Sequence, residues 1–476
     1  MIHDALVRHA HEDPERIAHV DADEVTTYVQ LMTLVRDFAA GLEAMGVRSG
    51  DRVLVMTRGL DFLVATYGAS MAGAVSIPLG EGDKRFEQIA ERAGAHLVVR
   101  SQDQLEPKTP QRRDIGADVA MIFHTSGTTA EPKGVMLTNA NIEANTRAIV
   151  QYLGLSAQDR IAACLPNHHA YGFSVLNTHL HAGGTVVEAG SAAFVGPLLD
   201  TIQRYRCTGL SAVPSTLQRI LDTPGIDTYD LTSLRYVTQA GAPMSPTLAR
   251  HVQRTLSNAR LFCMYGQTEA SARLSYLPPE DLDRKPGSVG IAIPGVEISV
   301  RVDDGTPAPT NVVGEIFARG DNVMCGYLGD PVATAEVLRD GWLGTRDMGY
   351  LDEDGYLFIV GRRDDMISVA GHRVGPREVE AAIEALPDVQ ACAVVGAPDR
   401  RTGERVVAHV VLEPNARLSA EDIQAKCRRT LPAYMVPAYV EFVEALPRSE
   451  RGKVVRSALR RDRLRLGARP ATEAAR

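Results

Sequence analysis

The sequence predicts an α/β protein with largely parallel sheets, built as two or three domains. Three observations carry this. Short apolar, β-rich runs alternate with helix-like segments through much of the chain. From Val289 to Tyr356 the strands shorten and Gly and Asp turns crowd in, marking a second fold region. After Gly361-Arg362-Arg363-Asp364-Asp365 the charge changes sign: residues 365–476 hold 19 basic and 15 acidic side chains, +4, leaving −12 for residues 1–364 in a chain of net charge −8.

Taken in order, Arg52-Val53-Leu54-Val55-Met56 is the first clear buried strand. Phe62 to Leu79 is uncharged, but Thr66, Gly68, Ser70, Gly73, Ser76 and Pro78 make it a buried helix followed by a short strand, not a membrane span. His96-Leu97-Val98-Val99, Val119-Ala120-Met121-Ile122-Phe123 and Gly184-Thr185-Val186-Val187 are further strands, and Pro197 to Tyr205 is helical. Asp303-Asp304-Gly305 and Asp352-Glu353-Asp354-Gly355 are tight turns. A strand at Leu357 to Val360 closes the large part, and Arg460 to Arg476 is expected to fray.

Composition narrows the function. With 45% hydrophobic and 23% charged residues the 476-residue chain can bury a core, which excludes disorder as its main state. Its acidity argues against a dedicated nucleic-acid binder. A basic module beside an acidic one suits closure over an anionic ligand; an Arg-rich C-terminal helix without a partner fits the same charge count. The start, Met1-Ile2-His3-Asp4, shows no secretory signal. Cys164, Cys207, Cys263, Cys325, Cys392 and Cys427 are scattered without a zinc or disulfide pattern, so a reducing, cytoplasmic home is expected.

The strongest motif is His124-Thr125-Ser126-Gly127-Thr128-Thr129-Ala130-Glu131-Pro132-Lys133-Gly134-Val135, directly after a strand. Small hydroxyl residues and Gly let the backbone approach a polyphosphate, and Lys133 adds a positive charge. Gly134 after Lys133 excludes the P-loop signature, and with it a kinase or ATPase of that type. Lysine usage points the same way. There are six lysines, Lys84, Lys108, Lys133, Lys285, Lys426 and Lys453, against 45 arginines, and two of the six fall in Gly/Lys motifs.

This segment resembles the phosphate loop of the adenylate-forming superfamily, which comprises acyl- and aryl-CoA synthetases, peptide-synthetase adenylation domains and beetle luciferases. Further blocks resemble the family's in order, from about residue 25 to 456. They are Leu165-Pro166-Asn167-His168-His169-Ala170-Tyr171-Gly172-Phe173, Gly241-Ala242-Pro243, Tyr265-Gly266-Gln267-Thr268-Glu269, and Gly287-Ser288-Val289-Gly290 with Pro294-Gly295. Thr345-Arg346-Asp347, Arg362, Gly371-His372-Arg373-Val374-Gly375-Pro376 and Pro447-Arg448-Ser449-Glu450-Arg451-Gly452-Lys453-Val454 complete the set. Ala130 and Arg346 each replace a family Gly; Arg346 is expected to face solvent, with a phosphate contact as the alternative.

The resemblance implies a large N-terminal domain, residues 1–363, of layered α/β subdomains plus a β-barrel-like subdomain, and a small mobile α+β C-terminal domain, residues 364–476. It implies activation of a carboxylic acid by ATP to an acyl-adenylate with pyrophosphate release, then transfer to coenzyme A. Thr125, Ser126, Gly127, Thr128, Thr129 and Lys133 would hold the phosphates, with Gly241, Ala242, Pro243, Tyr265 and Gly266 around the nucleotide. Asp347 would bind the ribose hydroxyls, Arg362 ribose and phosphate, and Thr268 the phosphate, and Glu269 with Thr128 would hold Mg²⁺. Lys453 would bridge carboxylate and α-phosphate, Asp364 would be the hinge, and Gly371 would line the thiol tunnel. His169, Ala170, Tyr171, Ser211, Gln239, Gly241, Met264 and Gln267 would form the acyl pocket. Ala170 stands where amino-acid-activating relatives carry an Asp, so an α-amino acid would lack a partner for its ammonium. An aromatic or short-to-medium acid is favoured.

Alternatives stay open at this level. With no carrier domain after Lys453, coenzyme A is the first acceptor, ahead of a separate phosphopantetheinyl carrier protein or an amine. A nucleotide-binding pseudoenzyme acting as a partner protein is the reading from another class. His168 and His169 also fit a packed pair, Glu269 a surface carboxylate, and Asp364 with Asp365 an ordinary turn.

Overall fold

The computed structural model describes residues 1–108, 115–116, 118–125, 132–448 and 454–460. Two large sheets, with helices packed against them, make up most of the chain. The first has seven strands in the order Gly326–Tyr327, Lys133–Thr138, Val119–Thr125, Val75–Pro78, Arg52–Val55, Ala95–Ser101 and Gln104–Pro107. Its four central strands, Val119–Thr125 through Ala95–Ser101, are parallel and the flanking strands antiparallel. The second has nine strands: Ile291–Ala292, Ser275–Leu277, Arg260–Tyr265, Tyr236–Gln239, Gly209–Ala212, Arg160–Ala163, Thr185–Glu188, Ile17–Asp21 and Glu24–Thr27. Arg260–Tyr265 to Ile17–Asp21 run parallel.

The central strands read as unbroken apolar runs because helices cover both faces. Arg52–Val55, Val75–Pro78 and Gly209–Ala212 are buried at every position. The helix Gly59–Met71 is buried all round, from Phe62 to Ser70, so it is a core helix, as expected from its uncharged sequence. Among the described residues no helix is long and apolar enough to cross a membrane. Local signals fix helix starts: Thr138 caps Asn139–Leu153 in a reciprocal box with Asn141, and Gly154 ends that helix at φ +60°.

A third sheet begins in the stretch expected to be a second fold region. It has five antiparallel strands, Val296–Arg301, Gly314–Gly320, Trp342–Leu351 and Leu338–Arg339, with Leu357–Arg362 on Trp342–Leu351. Both Asp/Gly turns form, and in the second Asp352 accepts from the amides of Asp354 and Tyr356. The fourth sheet holds His372–Val374, Ile367–Val369, Gly403–Leu412, Val389–Asp399 and Tyr439–Phe442. Its apolar clusters draw only on residues 367–459, so this smaller part has its own core. Buried Glu380 is satisfied there by Arg377, Arg456 and the amide of Val394.

Candidate active site

The site gathers beyond the C-terminal ends of parallel strands, where open α/β sheets place ligands. Val119–Thr125 ends at Thr125, which pairs in register with Lys133 at the start of the returning strand. The two residues therefore bracket the intervening loop. Ser126, Gly127, Thr128 and Thr129 in that loop, and Lys453 near the C-terminus, lie outside the described residues. Beside Thr125, burial pushes His124 down to about 4, so its ring is neutral near pH 7.

Lys133, Tyr327 and Glu269 form one cluster. The Lys133 ammonium lies 4.9 Å from the Tyr327 ring centroid, and the Tyr327 hydroxyl donates to Glu269 Oε1 at 2.9 Å. Burial, then the negative charge of Glu269, pushes the Tyr327 phenol far up, so it stays a neutral donor. Glu269 sits on the short turn Thr268–Ala270 after the strand Arg260–Tyr265. The chain can double back there only because residue 266 is Gly: a Cβ would meet the Ala272 carbonyl oxygen at 2.1 Å. Tyr327 was not singled out by sequence reasoning; its one local signal is its place in a Gly-Tyr pair among turns.

Tyr265, Asp347 and Arg362 form a second cluster. Asp347 and Arg362 face each other across adjacent antiparallel strands, with Oδ1 and Nη1 3.3 Å apart. The Tyr265 hydroxyl donates to Asp347 Oδ2 at 2.7 Å. Burial, then Asp347, holds the Tyr265 phenol well above its usual range. Burial opposes the Arg362 charge, but Asp347, Tyr265 and Glu269 outweigh it and raise its pKa. Glu269 thus links the two clusters electrostatically. Thr345 braces the strand, accepting from the Asp347 amide and donating to the Ile316 carbonyl.

Arg346 has φ +60°, which explains why a Gly suits that position. Its guanidinium pairs with Glu336 at 2.7 Å on the surface, in line with the solvent-facing expectation. Gly241 has φ +88° and begins the loop after Tyr236–Gln239, where Gln239 donates to the Ala242 carbonyl at 2.6 Å and Pro243 follows.

Of the acyl-pocket candidates, Tyr171 on the helix Ala170–His181 is joined to Ser211 through Thr238 and to Met264 through Arg273. His169 immediately precedes the helix, and the rings of His168 and His169 meet at 4.2 Å in an edge contact. The Tyr171 hydroxyl donates to the Thr238 carbonyl at 3.1 Å, and Ser211 Oγ lies 2.8 Å from Thr238 Oγ1. Met264 Sδ accepts from Tyr152 and from Arg273. Arg273, also missed in the sequence, lies over the Tyr171 ring. Gln267 Nε2 is buried with no hydrogen-bond partner among the described residues.

The remaining candidates stand apart. Asp364 lies in the turn Arg363–Asp365, where its carbonyl accepts from Arg460 at 3.4 Å. Gly371 has φ +84° at the tip of the hairpin joining Ile367–Val369 to His372–Val374, and a Cβ there would meet nothing within 4 Å. Among the described residues, no group of three or more His, Cys, Asp and Glu side chains gathers as a metal cage.

Comparison with known proteins places this geometry. A family model described as AMP-binding enzyme matches residues 6–116 and 101–328, and one described as AMP-binding enzyme C-terminal domain matches residues 378–453. The chain is 34% identical to a feruloyl-CoA synthase from Amycolatopsis, over 96% of this chain and 97% of that one. It is similar to the ATP-bound structure of MatB from Rhodopseudomonas palustris, with 29% identity, a TM-score of 0.85, and coverage of 97% and 99%. It is also similar to the o-succinylbenzoate CoA synthetase of Bacillus subtilis in complex with its acyl-adenylate, with 28% identity, a TM-score of 0.83, and coverage of 96% and 97%. The chain belongs to the AMP-binding, adenylate-forming enzyme family.

Proposed function

We propose that the protein is an AMP-forming carboxylic acid–CoA ligase. The carrying observation is the pair of clusters, Lys133–Tyr327–Glu269 and Tyr265–Asp347–Arg362, with Lys133 paired in register with Thr125. A carboxylate oxygen of the acid attacks the α-phosphorus of ATP and pyrophosphate leaves, giving an acyl-adenylate. The coenzyme A thiol then attacks the acyl carbonyl, AMP leaves, and the thiol proton passes to solvent. Nucleotidyl transfer needs positioning and charge neutralisation more than covalent help.

In this reading Asp347 accepts from the ribose hydroxyls, and Arg362 and Tyr265 hold its carboxylate in place. Thr125, Ser126, Gly127, Thr128, Thr129, Thr268 and Lys133 bind phosphate oxygens, and Gly241, Ala242, Pro243 and Gly266 approach the nucleotide through backbone. Glu269 suits Mg²⁺, because that ion takes one or two carboxylates plus substrate phosphates and needs no all-protein cage. Tyr327 holds Glu269 Oε1, and Glu269 with Thr128 would hold the ion, which would supply charge neutralisation for the departing pyrophosphate. Lys453 bridges carboxylate and α-phosphate in the first step.

The domains divide between residues 363 and 364. Rotation about Asp364 withdraws Lys453 and brings the Gly371 hairpin to the thiol path. The open space around Gly371 supports this. The acyl pocket is drawn from His169, Ala170, Tyr171, Ser211, Gln239, Gly241, Met264 and Gln267, and the buried Gln267 Nε2, without a hydrogen-bond partner among the described residues, supplies a donor. Relatives named for feruloyl-, 4-coumarate and indoleacetate CoA ligation favour an aryl acid. All six cysteines are free thiols, which supports a reducing, cytoplasmic setting.

The test is incubation with Mg-ATP and a panel of carboxylic acids, with and without coenzyme A. Acid-dependent pyrophosphate, with AMP and thioester when coenzyme A is added, is expected. Pyrophosphate without thioester would move the acceptor to a carrier protein or an amine. Silence across a broad panel would overturn the ligase reading.

A further inference from the structure

Arg273 is 2% exposed and makes no ion pair among the described residues. Its Nε donates to the Met264 thioether at 3.3 Å, a weak acceptor, and Nη1 to the Ala272 carbonyl at 3.4 Å. A guanidinium has five N–H donors, so most of its capacity is unspent. Buried Arg52 and half-buried Arg377 behave differently. Arg52 sends Nε, Nη1 and Nη2 to the carbonyls of Ala93, Gly50 and Gly94, and Arg377 pairs with Glu380 and Glu384. A buried cation left without an anion is unfavourable, and the Tyr171 ring 4.2 Å from its guanidinium carbon offsets that only in part.

Its placement is over-determined. Ser271 and Ala272, neither of them Gly, both have positive φ, +52° and +96°, in the turn that leads into Arg273. The Arg273 carbonyl is then held by the amides of Asn145 and Asn322, at 3.1 and 2.9 Å. Tyr171 cannot swing away, because its hydroxyl is tied to Thr238. Tyr152, which donates to Met264 on the same side, is stacked on Tyr276 at 4.2 Å. A strained turn thus presents a rigid, unneutralised cation to two acyl-pocket side chains, Tyr171 and Met264.

We infer that Arg273 recognises an anionic oxygen group at the far end of the acid, so that the substrates are acids bearing a second such group. A distal carboxylate and a distal phenolate share this chemistry. The inference rests on the ligase reading and on Tyr171 and Met264 lining the acyl pocket. Such an acid supplies the missing counter-anion, whereas an acid with an apolar tail leaves the guanidinium unpaired.

The experiment compares matched acids by pyrophosphate release: 4-carboxycinnamate, 4-hydroxycinnamate and cinnamate, and adipate against hexanoate. At least one distally anionic acid is expected to exceed its neutral partner tenfold or more in kcat/KM. Arg273→Met should bring that ratio to near one, mainly through KM, and Arg273→Lys should keep part of it. The winner between 4-carboxy- and 4-hydroxycinnamate distinguishes carboxylate from phenolate, with a rise toward alkaline pH marking the latter. Neutral acids turned over equally well, or both variants losing all acids alike, would overturn the inference and leave the ligase standing. Pyrophosphate release with none of these acids or any broader panel would overturn the ligase reading, and this inference with it.

Discussion

Tyr327 joins Glu269 to the phosphate-loop strand: its hydroxyl donates to Glu269 Oε1 at 2.9 Å while its backbone pairs with Val135, two residues beyond Lys133. The carboxylate proposed to hold Mg²⁺ is thereby oriented from the sheet that carries the phosphate loop. Tyr327→Phe keeps the ring under Lys133 and removes only the donor. One charge-assisted hydrogen bond is worth about 1.5–3 kcal/mol, so kcat/KM for Mg-ATP should fall roughly 10- to 150-fold. An unchanged Mg²⁺ and ATP dependence would remove Tyr327 from the machinery.

The two half-reactions should separate genetically. Lys453→Ala should abolish adenylate formation and largely spare thiolysis of a supplied acyl-adenylate. Gly371→Trp should do the reverse, by filling the space that a Cβ would leave open. Equal loss of both half-reactions in either variant would count against rotation about Asp364.

Arg346→Gly tests the surface reading of the Arg346–Glu336 pair. Gly relieves a left-handed backbone, worth about 1 kcal/mol, and loses a surface ion pair worth about 0–1 kcal/mol. Stability measured by urea unfolding should therefore be level or slightly higher, with KM for ATP unaltered. A several-fold rise in that KM would show that Arg346 reaches the nucleotide.

Stability should fall as pH drops below 6.5. His179 is fully buried; its Nδ1–H donates to the Val175 carbonyl, Nε2 of the neutral ring accepts from the Tyr236 hydroxyl, and burial pushes its pKa down to about 4. Its folded pKa is below the unfolded value, so the unfolded chain binds the extra proton between pH 6.5 and about 4. The stabilisation is whole above pH 6.5 and lost toward pH 4, at about 1.4 kcal/mol per pH unit. His124 adds a similar slope. Urea midpoints from pH 7 to 5 should show it, and His179→Asn should flatten the slope even as it lowers stability overall. An equal slope in the variant would place the acid sensitivity elsewhere.

Much of this was legible because the relevant information is local. The strand before Thr125, the all-apolar helix Gly59–Met71 and the Asp352–Gly355 turn each follow from a few adjacent residues. Gly266 entered through the resemblance of its block to a family motif, and the structure supplies the reason, a close approach to Ala272, six positions on. Tyr327 was not, because its partner Glu269 is 58 residues away and its ring contact with Lys133 spans two sheet strands. Arg273 hid behind Ser271 and Ala272: nothing in two ordinary residues announces a left-handed turn that sends an arginine inward. Asp347 and Arg362 were readable as two motif residues, but the Tyr265 hydroxyl that donates to Asp347 from another sheet needed the sheets assembled.

The groups around the proposed nucleotide site are spread from Lys133 to Arg362, and no subset within one sheet completes either cluster. Protein synthesis is vectorial, at about 5–20 residues per second, so about 10–50 s separate the making of Lys133 from that of Arg362. For most of that interval the nascent chain has the Thr125–Lys133 segment but neither Asp347 nor Arg362. A polysome carrying this message would hold many half-made copies, none able to spend ATP before the last strand of the third sheet arrives.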